Sequence, residues 1–511
     1  MEGLTALKMG FEALFSNPLL LAILVFGVFF GMVMGAIPGL TATLAVTMAL
    51  PFTYTLSPNM GLTLLVAIYV GGIAGGLVAA VLLNIPGSPA SLVTCFDGSP
   101  MARRGESAKA LTLGVFSSLI GGTFSAFALV IIAPKLAKVS LAFGAWEYFA
   151  LGILGLAIII SIVGAADMLK GLISAIVGII IAFVGYDPIS GVPRLMFNKW
   201  QLGSGIDTLP ALMGLFAIVE IMRQVPNLHV RAIATNPGRI PLLPKKEWIN
   251  GKDRLRTFSV GSLIGTFVGI LPGIGSTTAS MFSYNTCRSL SSYPEKYGTG
   301  IDEGVIASET ANNAVCGGAL IPMLTLGIPG DMVTAILMGG LIMNGLTPGP
   351  LLFETQPGII GIVFVAFIIS NFVMYIMEMG LMKFFIKTLS IPMEKLFPTV
   401  IVMCVVGTLT VHNRLFDSWM MVLITFVGYL LVMNGFPLAP IVLGYILGPL
   451  IEKNFRTGVI LSSGNMFGFA NSKLALSILI IAAIMLALPY ITKALQKRKL
   501  AKKKAPPSAD A

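Results

Sequence analysis

Charged side chains make up only 11% of this 511-residue chain, and its most suggestive hydroxyls and amides gather beside four Pro-Gly pairs. Thr41 and Thr43 follow Pro38-Gly39, and Asn84 precedes Pro86-Gly87 with Ser88 and Ser91 behind it. Gly275, Ser276 and Thr277 follow Pro272-Gly273, and Thr325 precedes Pro329-Gly330. Proline removes a backbone donor and clashes with the preceding turn, while glycine accepts angles that a helix does not use, so each pair stops a helix. The helix that restarts behind such a stop presents unpaired N–H groups and a partial positive charge. With hydroxyls beside them, these termini have the chemistry to hold a small anion without a basic side chain. No basic residue lies inside the four motifs; the nearest are Arg103, Arg104 and Lys109 in the first half and Arg288 in the second.

Carboxylates near the breaks are few. Asp97 and Asp331 follow the two later breaks, Glu309 lies within one helical turn of Asn312 and Asn313, and Asn344 closes the last motif. These six residues are the candidates for a cation or proton, because a carboxylate inside a membrane is expensive without a task. Asp97 and Glu303 also read as turn or helix-cap residues, whereas Glu309 with its asparagines fits an interior face. Unwound carbonyls and hydroxyl or amide oxygens can hold a sodium ion. His229 and His412 are isolated, and Cys95, Cys287, Cys316 and Cys404 form no CxxC pair, so no zinc site or disulfide framework is indicated. There is no metalloprotease helix, Walker loop or nucleophile elbow, and the chain is expected to be no enzyme and to carry no cofactor.

The elements that position these residues must lie in lipid. Apolar residues make up 56% of the chain, and none of Asp, Glu, Lys or Arg occurs from Ala13 to Phe96, although about 20 apolar residues already span a bilayer. Candidate spans lie at 18–37, 60–83, 110–133, 146–165, 168–186, 208–222, 257–271, 332–346, 357–380, 398–411, 417–434, 437–451 and 472–492. The fold class is an all-α integral membrane protein with about 10–14 transmembrane segments. Several segments are short, and short or interrupted hydrophobic segments in matching places point to broken helices. A repeat is present: Gly27, Gly31 and Gly35 before Pro38-Gly39 match Gly261, Gly265 and Gly269 before Pro272-Gly273, a constant offset of 234 (Gly27 to Gly261). The later breaks follow in the same order with drifting spacing. Two pseudo-symmetric, inverted repeats with broken or re-entrant helices are expected, meeting in one polar chamber, since irregular backbone at membrane depth must line protein or water. The plainer account makes each glycine ladder a close helix-packing face; it explains the glycines but not the breaks that follow them.

Charge divides the chain into a first membrane repeat at 1–223, a basic cytoplasmic linker at 224–256, a second repeat with C-terminal helices at 257–496 and a basic cytoplasmic tail at 497–511. Arg223 to Arg256 holds eight basic residues against Glu247 and Asp253, and Lys497, Arg498, Lys499, Lys502, Lys503 and Lys504 crowd the tail; such clusters mark cytoplasmic segments. Inversion then places the segment before Asn17 in the periplasm. Anionic lipid headgroups are the natural partner of these clusters, and no nucleic-acid motif accompanies them. The start of the chain reads as a span that stays, not as a cleaved signal.

Four runs carry a family resemblance: Gly31 to Thr41 (GMVMGAIPGLT), Asn84 to Ala110, Gly265 to Tyr284 and Glu303 to Pro350. Over nearly its whole length the chain resembles the large membrane subunit of the tripartite tricarboxylate transporters, with Ser99 standing where an aromatic residue is expected. The resemblance implies a multi-pass protein of the bacterial inner membrane working with a small four-helix membrane subunit and a periplasmic solute-binding protein. It implies import of an organic carboxylate anion such as citrate, with a sodium ion as coupling ion. A membrane-embedded enzyme and a non-transporting scaffold subunit are the alternative classes; the first needs a reactive cluster, and the second needs no polar chamber.

Overall fold

The computed structural model describes residues 2–163, 167–227, 238, 240–389 and 391–504. His229, part of the basic linker and the last seven residues lie outside the described residues, as do the side chains of His412 and of the lysines and Arg498 in the tail. Among the described residues the chain is helical apart from one two-stranded hairpin, Gly185–Tyr186 with Pro193–Arg194. Seven helices are long and apolar enough to cross a membrane, and three shorter apolar helices accompany them.

Two compact units form, and neither coincides with a sequence half. One comprises Met1–Ala142 with Ile206–Tyr429, the other Phe143–Gly205 with Leu430–Ala511. In the larger unit the helices that matter for function are α1 (Glu2–Ser16), α2 (Pro18–Ala36), α3 (Ala42–Thr53), α4 (Pro58–Leu83), α5 (Thr94–Arg103) and α6 (Ser107–Ser140). From the second half of the sequence come α7 (Lys252–Ile270), α8 (Gly275–Leu290), α9 (Asp302–Leu326), α10 (Met332–Met343) and α11 (Pro357–Thr388). Proline opens α2, α4 and α11, where its missing N–H costs nothing.

The glycine ladders do serve close packing. Gly27, Gly31 and Gly35 lay α2 on α4, and Gly261, Gly265 and Gly269 lay α7 on α9. A methyl on Gly27 would sit 2.8 Å from the Ala67 Cβ, and one on Gly261 would sit 3.0 Å from the Thr310 Cβ. Ala67 and Thr310 differ by 243 positions. The same offset relates Asn84 and Gly327, the left-handed residues that end α4 (φ 56°) and α9 (φ 67°). It relates Gly87, packed on Gly35 and Gly76, to Gly330, packed on Gly269 and Ala319. It also relates Ser88 and Ser91 to Asp331 and Thr334, whose side-chain to backbone bonds match: Ser88 N–H to Ser91 Oγ at 3.1 Å and Asp331 N–H to Thr334 Oγ1 at 2.9 Å. Nine extra residues in the second half therefore change the offset from 234 to 243, which is why the later motifs drift when read along the sequence.

One major element is absent from the sequence-derived spans. The polar run from Asp302 to Asn313 opens α9, a 25-residue helix buried from Asp302 through Thr325. Its charged and amide residues hid it from a hydropathy argument, yet α6, α7 and α8 all pack on it. Without a hydrophobic drive in lipid, helices associate through tight packing and internal polar bonds, and α9 supplies both.

The smaller unit is built on Ala145–Ile162, Met168–Ala182, Leu438–Leu461 and Lys473–Lys504. Trp146 packs edge-on to Phe149, Phe455 and Phe469, and a methyl on Gly444 would run into the Ala175 carbonyl, so Met168–Ala182 and Leu438–Leu461 touch backbone to backbone. Asp187 lies in the loop beyond Met168–Ala182. Burial opposes its charge, but N–H donors from Ser190 and Ile189 and the Arg456 guanidinium at 2.6 Å outweigh it and hold the carboxyl well below its usual range.

Candidate functional site

Each Pro-Gly pair interrupts a helix, as the sequence predicts, and the chain then restarts in two different ways. At the first break Gly39 adopts φ 88°, and Thr41 caps α3 by accepting the Leu44 N–H at 3.2 Å. Gln224 donates to the Gly39 carbonyl and, at 2.9 Å, to Glu220. At the second break Gly273 and Gly275 have φ 77° and 73°, and among the described residues no side chain caps the start of α8. The Gly273 N–H donates to the Gly330 carbonyl at 2.8 Å, so the two breaks of the second half touch. Residues 271–278 are all half-buried, and among the described residues the hydroxyls of Ser276 and Thr277 make no hydrogen bond. The Thr43 hydroxyl, behind the first break, is likewise half-buried and uncommitted.

The remaining break residues are more enclosed. Ser88 is buried, and its hydroxyl has no hydrogen-bond partner among the described residues. Ser91 is committed to the Ser88 backbone at 2.9 Å, and Thr325 to the Ile321 carbonyl at 2.7 Å. Pro86 is half-buried, Pro329 buried, and Asn84 serves as the left-handed C-cap of α4.

The carboxylates separate into three kinds. Asp97, fully buried, accepts from the Tyr284 hydroxyl at 2.7 Å and from the backbone N–H of Gly298, Gly300 and Ile301 at 3.0, 2.7 and 3.0 Å. It clamps the loop before α9 to α5, and those donors fill its oxygens. Asp331 caps α10 through the Thr334 N–H at 2.7 Å and accepts the Tyr69 hydroxyl at 2.5 Å, tying α4 to the later break. Glu303 pairs with Arg254 at 3.3 Å, beside Asp302, which pairs with Lys109 at 2.7 Å.

Glu309 is the third kind. It and Asn312 are fully buried and Asn313 nearly so, the interior placement their spacing implied. Thr94 donates to Glu309 at 2.5 Å and Ser118 at 3.3 Å, while Asn313 donates to Ser118 at 2.8 Å. Asn312 sits beside Glu309 with neither amide atom in a hydrogen bond of good geometry. No cation pairs with Glu309 among the described residues. The Asn344 side chain, at the end of α10, donates to the Gly340 carbonyl at 2.8 Å and has no bond to this cluster among the described residues.

Sequence reasoning missed Glu378, a fully buried carboxylate in α11. The signal was available: an ionisable residue inside the apolar run 357–380 is a functional hypothesis by default. Tyr69, Ser118 and Gln224 were missed as well, and nothing in their local sequence marks them.

Fold and site together define a multi-pass α-helical membrane protein whose two halves each carry a glycine ladder and two helix breaks. The chain belongs to the tripartite tricarboxylate transporter TctA family, whose sequence model matches residues 21–443, and it is thus a membrane subunit of a tripartite transporter. It is 36% identical over 443 residues to an uncharacterized 52.8 kDa protein in the TAR-I ttuC' 3' region of Agrobacterium vitis, covering 86% of this chain and 87% of that one. It is also 36% identical over 230 residues to an uncharacterized protein in the TAR-II ttuC' 3' region of the same organism, covering 44% of this chain and 95% of that one. No solved structure matches the chain.

Proposed function

We propose that this chain imports small organic carboxylates, tricarboxylates or dicarboxylates such as citrate, across the bacterial inner membrane. In this reading a periplasmic solute-binding protein delivers the anion, a small four-helix membrane subunit completes the membrane complex, and a sodium gradient drives uptake. The two halves are related by inversion across the membrane and rock about a shared anion site.

One observation supports this reading above the others: α8 begins without a side-chain cap, behind a glycine-rich break whose Ser276 and Thr277 hydroxyls are uncommitted. Free N–H groups at a helix start carry a partial positive charge, and a carboxylate placed there accepts from both backbone and hydroxyl donors. Thr43 offers a matching hydroxyl in the first half. Of the carboxylates, Glu309 suits a coupling cation, because its neighbours are hydroxyls and amides. Asp97 and Asp331 spend their oxygens on structural bonds.

The test is uptake by proteoliposomes containing the two membrane subunits, with the binding protein present, scanned over labelled di- and tricarboxylates. An inward sodium gradient is expected to drive accumulation that collapses without sodium. Equal accumulation driven by a pH gradient in sodium-free vesicles would overturn sodium coupling.

A further inference from the structure

Glu378 is the buried ionisable group that the reading above leaves unused. It is 0% exposed, and neither of its oxygens has a hydrogen-bond partner among the described residues. Its place in the bundle follows from α6, which packs on both α9 and α11. Toward α11, Phe116 meets Tyr375 with ring centroids 6.3 Å apart, and a methyl on Gly122 would lie 2.7 Å from the Asn371 Cγ. Toward α9, Ser118 bonds to Glu309, and Gly121 lies against the Thr310 carbonyl. Asn371 and Glu378 are seven residues apart, two turns along one helix face. The level of Ser118, and so of Glu309, falls between the Phe116–Tyr375 and Gly122–Asn371 contacts, and Glu378 lies about one helical turn from it along α11.

Among the described residues no positive side chain balances this pair. On the helices packed against α11, α2 has no ionisable residue and α4 has only Tyr69, which is bonded to Asp331. Lys8 of α1 pairs with Glu12 at 3.8 Å, both of them exposed, and Glu354 lies in the short helix Leu351–Thr355. On α6, Lys109 is engaged by Asp302, while Lys135 and Lys138 are exposed at the far end; on α11 itself Lys383 and Lys387 are exposed beyond Glu378. Neither buried carboxylate can be left ionised and bare in a dry interior without a large desolvation cost, and a second carboxylate nearby adds to it. Asn312, fully buried one turn from Glu309, has neither amide atom in a hydrogen bond of good geometry among the described residues, which leaves it able to serve a bound ion.

We propose that Glu309 and Glu378 form one buried site for an exchangeable monovalent cation, a proton or sodium, with Asn312, Asn313, Ser118 and Thr94 as its neutral partners. Its use as the coupling site rests on the transport function proposed above. The site itself is tested without transport. Difference infrared spectra of the purified full-length chain are recorded while sodium is raised at fixed pH, and while pH is raised without sodium. A protonated carboxyl signal that sodium displaces, and that Glu378→Gln or Glu309→Gln removes, is the expected result and names sodium. A signal removed by both variants that responds to pH alone names the proton. Spectra unchanged by either variant under both titrations overturn the proposal.

The same variants are then reconstituted. Glu378→Gln is expected to keep exchange of labelled for unlabelled carboxylate while net gradient-driven accumulation falls at least tenfold, with Glu378→Asp partly restoring it. Retained exchange shows that the variant is folded. Wild-type accumulation in Glu378→Gln overturns the coupling role, whereas a native chain that accumulates no carboxylate overturns the transport reading and leaves the spectra to decide the cation site.

Discussion

At the first break Thr41 closes the new helix with its own hydroxyl and Gln224 occupies the Gly39 carbonyl; at the second, α8 starts uncapped and Gly273 reaches across to Gly330. The packing that leads to each break is otherwise the same, glycine by glycine, down to the methyl-sized space that is missing at Gly87 and at Gly330. Equivalent scaffolds thus end in one closed and one open helix terminus. Capping satisfies orphan N–H groups internally, so an uncapped, half-exposed terminus is where a ligand can do the capping instead. Under the proposed transport function, the difference predicts that the anion engages the second half first, with the first half as a weaker partner.

The most drastic way to break the comparison is to fill the shared space. Gly87→Ala places a methyl 2.8 Å from the Gly76 Cα and 2.7 Å from the Gly35 carbonyl oxygen; Gly330→Ala places one 2.5 Å from the Ala319 Cα and from the Gly269 carbonyl oxygen. These contacts are with backbone, which cannot swing aside as a side chain would. Overpacking of this kind typically costs about 1–3 kcal/mol and more where backbone must shift. Both variants are expected to lose uptake and most of the folded protein recovered in membranes. Normal recovery of one but not the other would show that the two halves are not equivalent at this contact.

A finer probe removes single hydroxyls. Thr277→Val keeps the shape of the side chain and deletes a donor, so the lost bond to a charged ligand costs about 1.5 to 3 kcal/mol. The concentration giving half-maximal uptake is expected to rise tenfold or more at unchanged expression. Thr43→Val should produce a smaller rise, because α3 is already capped. An equal or larger effect at Thr43 would reverse the assignment of the open terminus.

Much of this is legible in the amino-acid sequence. The Pro-Gly pairs stop helices for reasons local to their own covalent structure, and the early ladder fell at a constant spacing, so the breaks and the repeat could be read directly. The helix α9 could not, because Asp302, Glu303, Glu309, Asn312 and Asn313 lower its hydropathy, and only the partners that bury them explain why they are tolerated. Asp97 looked like a cation residue because a lone carboxylate in a polar turn carries no sign of the loop that will wrap it; Gly298, Gly300 and Ile301 lie some 200 positions away. Glu378 was hidden the opposite way, by an apolar run that reads as an ordinary span.

The mildest test separates capping from binding at the first break. The Thr41 hydroxyl accepts the Leu44 N–H at 3.2 Å, and loss of an N-cap of this kind costs about 1 kcal/mol. Thr41→Ala is therefore expected to lower the thermal stability of the purified chain slightly and to leave the affinity for carboxylate nearly unchanged. Thr41→Ser, which keeps the acceptor, should behave as the native chain in both respects. The same alanine change at Thr277 should show the reverse pattern, with stability intact and affinity reduced, since that hydroxyl satisfies no backbone group. Denaturation midpoints and uptake affinities measured on the two alanine variants together would decide it: a common pattern at both positions, whichever way it ran, would mean that the two helix starts do the same work and that the contrast in their caps has no functional meaning.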